Sequence, residues 1–247
     1  MQQVALLRVG IDSGAAGIQG PLYPDGSFES VPIPDTFAGS GETRTYGNTL
    51  GSTHPRPLVE YFPVRQRTNK FDKPMHVDPE FKTFTYGDPT VPKRGLRRLQ
   101  PGDLLVFYAG LNPWDTVAGF SPGADALYLI GYFEVVYVGF ASDLEPVRDI
   151  EHDFAENFHV RNETVYRQQR DKLLLVKGGA GSRLLRKAVC ISEFGLDKVG
   201  KPLKILAREM HQHFGGFGGR NSVQRSNPRW IPSEYADTAV RFVKSCP

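Results

Sequence analysis

Two apolar runs constrain the folding of this chain more than any other feature: Asp103-Leu104-Leu105-Val106-Phe107-Tyr108, and the longer run from Leu127 to Phe140. Both are rich in aliphatic and aromatic residues and bounded by glycine- and proline-containing segments. That pattern predicts buried strands, the second long enough to bend at Gly131. Neither approaches the length of a membrane-spanning helix. The polar, glycine-rich connection "AGLNPWDTVAGFSPGAD" joins them.

Further elements are predicted around this pair. Leu22 to Val31 reads as a hairpin turning at Pro24-Asp25-Gly26-Ser27. Lys172–Lys177 and Lys187–Ile191 read as strands on either side of Gly178-Gly179-Ala180-Gly181-Ser182-Arg183. Helices are expected over Asp143–Phe158, over Leu203–Phe214 and over Ser233–Val243. Residues 38–101 show little periodicity and form a loop-rich segment within one domain spanning residues 1–247. Strands interspersed with helices, without regular alternation, predict an α+β fold built on a mixed or antiparallel barrel-like sheet with flanking helices and long loops.

The net charge of +3 conceals a division. Residues 1–160 hold 13 Lys/Arg against 20 Asp/Glu, whereas residues 161–230 hold 15 against 5. A basic segment of that size offers multivalent contacts to phosphates, so a nucleic acid or nucleotide is the expected partner. Two cysteines, Cys190 and Cys246, are too few for a disulfide framework. With no signal-peptide pattern at the N-terminus, a cytoplasmic location without a membrane partner is expected.

Several motifs are candidates for chemistry. Gly10-Ile11-Asp12-Ser13-Gly14 has the lettering of a phosphate cradle, but Ala15-Ala16 stand where hydroxyl residues are expected and no convincing second phosphate motif follows. A turn that places Asp12, with Asp25 of the hairpin, at a site explains the glycines better. Such carboxylates can act as acid and base, hold a metal, or cap turns. In "MHVDPEF", His76 and Asp78 have the H-x-D spacing of iron oxygenases. His152 or His159 would be the distal third ligand, and Arg161 would bind a cosubstrate carboxylate. His211-Gln212-His213 fails as a chelate, because residues two apart on a helix point to opposite sides. Trp114, beside Asn112-Pro113, is a candidate for stacking on an unpaired base. Arg183, Arg220 and Arg225 follow glycine-rich loops and are candidates for phosphate binding.

Taken in order, "RVGIDSG", "GPLYPDGSFESVPIPD", "HVDPEF", "FTYGD", "LQPGDLLVFYAG", "YLIGYFEV", "HVRNETVY" and "GGAGSR" resemble the nucleotide-modification-associated domain, third family, over most of the chain. The pair "GDLLVFYAG" and "YLIGYFEV" is more loosely similar to PUA-like and EVE-type domains, which implies a small barrel gripping a modified base or structured RNA. Two departures stand out. Phe107-Tyr108 replaces a doubled phenylalanine, and Gly219-Arg220-Asn221 replaces a glycine-glutamine-glutamate, so no catalytic glutamate transfers.

The leading reading is a protein that binds a base or nucleotide in, or after, base modification. Asp12, Asp25, His76, Asp78 and His159 are its chemical candidates. Asn162, three residues after His159, together with Arg183, Arg220, Arg225 and Trp114, are its substrate-binding candidates. No residue is assigned to a metal in that reading, and the cofactor, oligomeric state and enzymatic status stay open. The alternatives are a nucleotide-directed hydrolase or transferase using Asp and His groups, and a metal-dependent oxygenase using the H-x-D motif.

Overall fold

The two apolar runs form the longest strands of a computed structural model that describes residues 2–12, 17–121, 124–219, 221–224 and 227–247. In chain order the strands are β1 (Val4–Arg8), β2 (Gly20–Leu22), β3 (Ile33–Pro34), β4 (Met75–His76), β5 (Thr85–Asp88), β6 (Leu104–Asp115) and β7 (Gly119–Phe120). They continue with β8 (Ala126–Phe140), β9 (Leu174–Gly178), β10 (Arg183–Cys190), β11 (Ser192–Leu196), β12 (Pro202–Leu206) and β13 (Arg229–Trp230).

β6 is central. It runs parallel to β1, with Leu6 opposite Val106, and antiparallel to β8, with Leu105 opposite Phe133. Leu104 to Ala109 are all buried, as a strand covered on both faces requires. The expected bend in β8 appears as a slip of register: Phe107 pairs with Gly131, and Tyr108 pairs with Leu129. A Cβ at Gly131 would lie 2.6 Å from the Phe81 ring, so this crowded crossing requires glycine.

The sheet follows the path β13-β1-β6-β8-β9-β5, with β2 and β7 joining β6 and β10 joining β8. Among the described residues β13 and β5 end that path and do not meet, so the barrel-like closure expected from the sequence is not formed. The fold is mixed α/β, with one large mixed sheet and several short helices. None of the described helices is long and apolar enough to cross a membrane.

Two expected helices are corrected. Asp143–Phe158 holds separate single turns, at Ala141–Leu144, Ile150–Asp153 and Phe158–Arg161. Pro146 denies the chain a donor after the first, while the side chains of Asp149 and Asn157 cap the second and third. Leu203–Leu206 belongs to β12, which pairs with β11. The turn between them is built on Asp197, whose carboxylate accepts from Val199 N and Lys201 N, with Gly200 at φ +79°. The helix expected near the end is present at Ala236–Ser245.

The loop-rich segment carries its own packing. Tyr46, Leu58, Val59, Tyr61, Phe62 and Met75 form a second cluster with Trp114. A third cluster joins Leu144, Ile150, Phe154 and Val160 to Leu173 and Leu175. β4 extends from the second cluster, the turn Phe158–Arg161 belongs to the third, and β5 is the edge of the main sheet. The candidate site lies where they meet.

Candidate metal centre

β4 pairs antiparallel with β3, Ile33 opposite His76. Extended backbone sends alternate side chains to opposite sides. Met75 and Val77 pack on the second cluster, so His76 and Asp78 share the other side. The H-x-D spacing therefore presents both ligand-type side chains together.

His159 reaches them from the single helical turn Phe158–Arg161. Asn157 caps that turn, its side chain accepting from His159 N at 3.0 Å. The Phe158 ring stacks on His76 at 4.1 Å between centroids, which holds the imidazole in place. His76 Nε2 lies 3.1 Å from His159 Nε2, and Asp78 Oδ2 lies 3.5 Å from His159 Nε2 and 4.0 Å from His76 Nε2. Two ligand atoms bound about 2.1 Å from one small cation are roughly 3.0–3.4 Å apart in octahedral or tetrahedral arrangements. The 3.1 Å edge falls in that range, the 3.5 Å edge lies just above it, and the 4.0 Å edge is the widest of the triangle.

The groups behind the triad are also in place. His159 Nδ1 donates to Gln169 Oε1 at 2.7 Å, which turns its Nε2 toward His76 and Asp78. The backbone N–H of Gly87 donates to both Asp78 oxygens, at 3.2 and 3.0 Å. A Cβ on Gly87 would stand 2.9 Å from His159 Cδ2 and 3.2 Å from Asn157 Oδ1. Only glycine lets the β5 edge approach so closely.

Burial sets the protonation states. It pushes the Asp78 carboxyl up to about 6, against the hydrogen bonding and charge of His159 and the Gly87 N–H, which pull it down. Burial, reinforced by His159 and Arg44, holds His76 well below its ordinary value, so this imidazole is neutral.

His76 and Asp78 open onto a cavity of about 350 Å³ that also receives Arg8, Asp12, Asp88 and Lys93, while His159 lies behind them. Arg8 pairs with Asp12 at 3.4 Å and donates to the Gln224 carbonyl. Tyr86, also in the wall, donates to Asp88 at 3.1 Å. Burial lowers the Lys93 ammonium from its usual value, with Asp88 opposing that shift.

A family model described as nucleotide modification associated domain 3 matches residues 3–245. The chain belongs to this family. No curated protein and no solved structure matches it.

In this nucleotide-modification-associated domain 3 protein, the cavity gathers Asp12, His76 and Asp78 of the sequence candidates, with His159 against them. The remaining candidates lie elsewhere. Asp25 accepts from Ser27 N and Ser27 Oγ in the hairpin turn, and these bonds lower its carboxyl; it does not line the cavity. Trp114 is buried between the edges of Tyr23 and Tyr61, with Arg56 over its ring, so no face is open to a base. Asn162 donates to Glu42 and to the Phe158 carbonyl, securing the helical turn from within. Arg183 donates to the carbonyls of Lys244 and Cys246, clamping the C-terminal helix. Arg220, Arg225 and residues 13–16 of the opening loop lie outside the described residues.

His152 is exposed and pairs with Asp153, which leaves His159 as the distal histidine. Arg161 is engaged by Glu156 and Glu42. Several cations of the basic segment, residues 161–230, are engaged within the fold. Arg167 pairs with Glu163, Arg170 with Glu145, and Lys204 with Asp125. The cavity's cations, Arg8 and Lys93, come from the acidic front of the chain. Sequence reasoning missed Gln169, Asn157 and Gly87. Only Asn157 left a local sign, as a capping residue two positions before His159.

Proposed function

We propose that this protein is a metal-dependent enzyme that modifies a nucleobase or nucleotide, with His76, Asp78 and His159 holding a divalent cation at the cavity wall. The observation that carries this reading is the convergence of three ligand atoms, two from the H-x-D strand and one from the distant His159, within 4.8 Å of one another. Two imidazoles and a carboxylate are the donor set of non-heme Fe(II) sites with open positions. The polar second layer of Gln169, Asn157 and the Gly87 N–H matches what metal ligands require. Asp78 carries a further argument. A buried carboxyl with a raised proton affinity is costly as an anion, and a cation would offset that cost.

A cation bound there would supply a Lewis acid, and with Fe(II) a site for redox chemistry. The chain's own groups perform the rest. Arg8 and Lys93 orient an anionic part of the substrate, and Asp12 and Asp88 accept or return protons at the cavity wall. Lining this polar supports an enzyme over a reader domain, which would need aromatic walls for its base.

The test is mass spectrometry of RNA and DNA nucleosides from cells carrying the wild-type protein, no protein, or the His159→Ala variant. The reading expects one nucleoside to change in the null strain and to stay changed in the variant. An identical profile in all three strains, or full rescue by His159→Ala, would count against it.

A further inference from the structure

The short 3-10 helix Val91–Arg98 joins the cavity to a strongly charged outer surface. A 3-10 helix has three residues per turn, so positions three apart lie one above another. Lys93, Leu96 and Leu99 form the inward face and are all buried, with Lys93 in the cavity wall. Arg94 and Arg97 form a second face and Arg98 a third, and all three are exposed. Together with Gly95 they line a surface depression of about 470 Å³.

Among the described residues none of the three guanidiniums is paired with a carboxylate, and Arg98 lies 4.2 Å over the Trp230 ring. Leu96 and Leu99 anchor the helix in the main core, so the charges are presented from a fixed element. Exposed arginines without partners repel one another, and a polyanion relieves that repulsion. A free mononucleotide is small enough to be held by Arg8 and Lys93 inside the cavity. A set of guanidiniums outside the rim has use only for a substrate that extends beyond it.

We propose that the Val91–Arg98 helix grips the phosphate backbone of a polynucleotide, and that the substrate of the site is a base within a strand rather than a free nucleotide. This rests on the reading of the site as nucleotide-directed, but its test does not depend on the metal. The recessed position of His76 and Asp78 requires an unpaired or extruded base, so single strands are the favoured form.

The experiment measures binding of fluorescent single-stranded DNA and RNA oligonucleotides, at several salt concentrations, to wild type and to Arg94→Gln/Arg97→Gln. Wild type should bind one or both oligonucleotides. The arginine variant should bind at least about tenfold more weakly, and its slope of log affinity against log salt should fall by about 0.7 per lost phosphate contact. The two arginines are exposed, so circular dichroism should show an unchanged fold. Equal binding by wild type and the arginine variant, or no binding by wild type, would overturn the proposal. The DNA and RNA arms identify the strand.

Discussion

His159 Nδ1 donates to Gln169 Oε1 at 2.7 Å, and this single bond decides which nitrogen of the imidazole faces His76 and Asp78. The two residues come from neighbouring helical segments, so the ring is oriented by a local partner outside the H-x-D strand. Replacing Gln169 with leucine keeps the approximate volume but removes the acceptor. Divalent-metal affinity should fall about 10- to 100-fold, with little change in unfolding midpoint. Titration calorimetry on the variant checks this, and unchanged affinity would show that Gln169 does not act through His159.

Gly87 offers a steric test of the same arrangement. In Gly87→Ala the added Cβ meets His159 Cδ2 at 2.9 Å, while β5 can still pair with β9 through its backbone. The imidazole must yield. Metal affinity should drop by an order of magnitude or more, and overpacking should cost about 1–3 kcal/mol of stability. Calorimetry combined with denaturant unfolding separates the two effects.

The protonation of Asp78 predicts how metal binding depends on pH. Its carboxyl is pushed up to about 6, so below that value a proton must leave before a cation can bind. His76 is held well below its ordinary value and adds no proton of its own in this range. Loss of the Asp78 proton should therefore make apparent affinity rise with pH up to about 6, this group contributing up to tenfold per unit on the acid side. Titrations in buffers of different ionisation enthalpy measure the proton released. A flat profile across this range would contradict the assignment of Asp78.

Trp114 gives a contrasting case. It is 7% exposed and packs with Tyr23 and Tyr61, so its truncation removes core rather than a binding surface. Trp114→Ala should lower the unfolding free energy by about 3–5 kcal/mol, measured by urea denaturation. Oligonucleotide affinity should be kept under conditions where the variant is folded. A loss of affinity without a loss of stability would restore Trp114 as a stacking residue.

These cases show what the sequence makes legible. Strand position was readable wherever apolar runs were continuous, as in β6 and β8, because burial on both faces leaves few alternatives. The H-x-D pair was readable because extended backbone guarantees that alternate residues share a side. Sheet closure was not, since it depends on which edges meet, and β5 and β13 do not. Helical spacing misled at Leu203–Leu206, where pairing with β11 overrode it, and at Asp143–Phe158, where Pro146 interrupted it. The pairing of His159 with Asp78 joins positions 81 residues apart, and only the packing of the third cluster against β9 brings them together. Charge counting located the basic segment but not the partners of its cations: Arg161, Arg167, Arg170 and Lys204 meet carboxylates, while Arg94, Arg97 and Arg98, in a segment that is acidic on average, are exposed.

The central claim is that His76, Asp78 and His159 form one cation site. Its most direct test is anaerobic equilibrium titration of the purified, metal-stripped protein with Fe(II) and Mn(II), beside His76→Ala, Asp78→Ala and His159→Ala variants shown by circular dichroism to be folded. The account predicts about one equivalent bound per wild-type chain and a loss of at least tenfold in affinity in each variant. Undetectable binding by the wild type, or unaltered binding by the three variants, would contradict it.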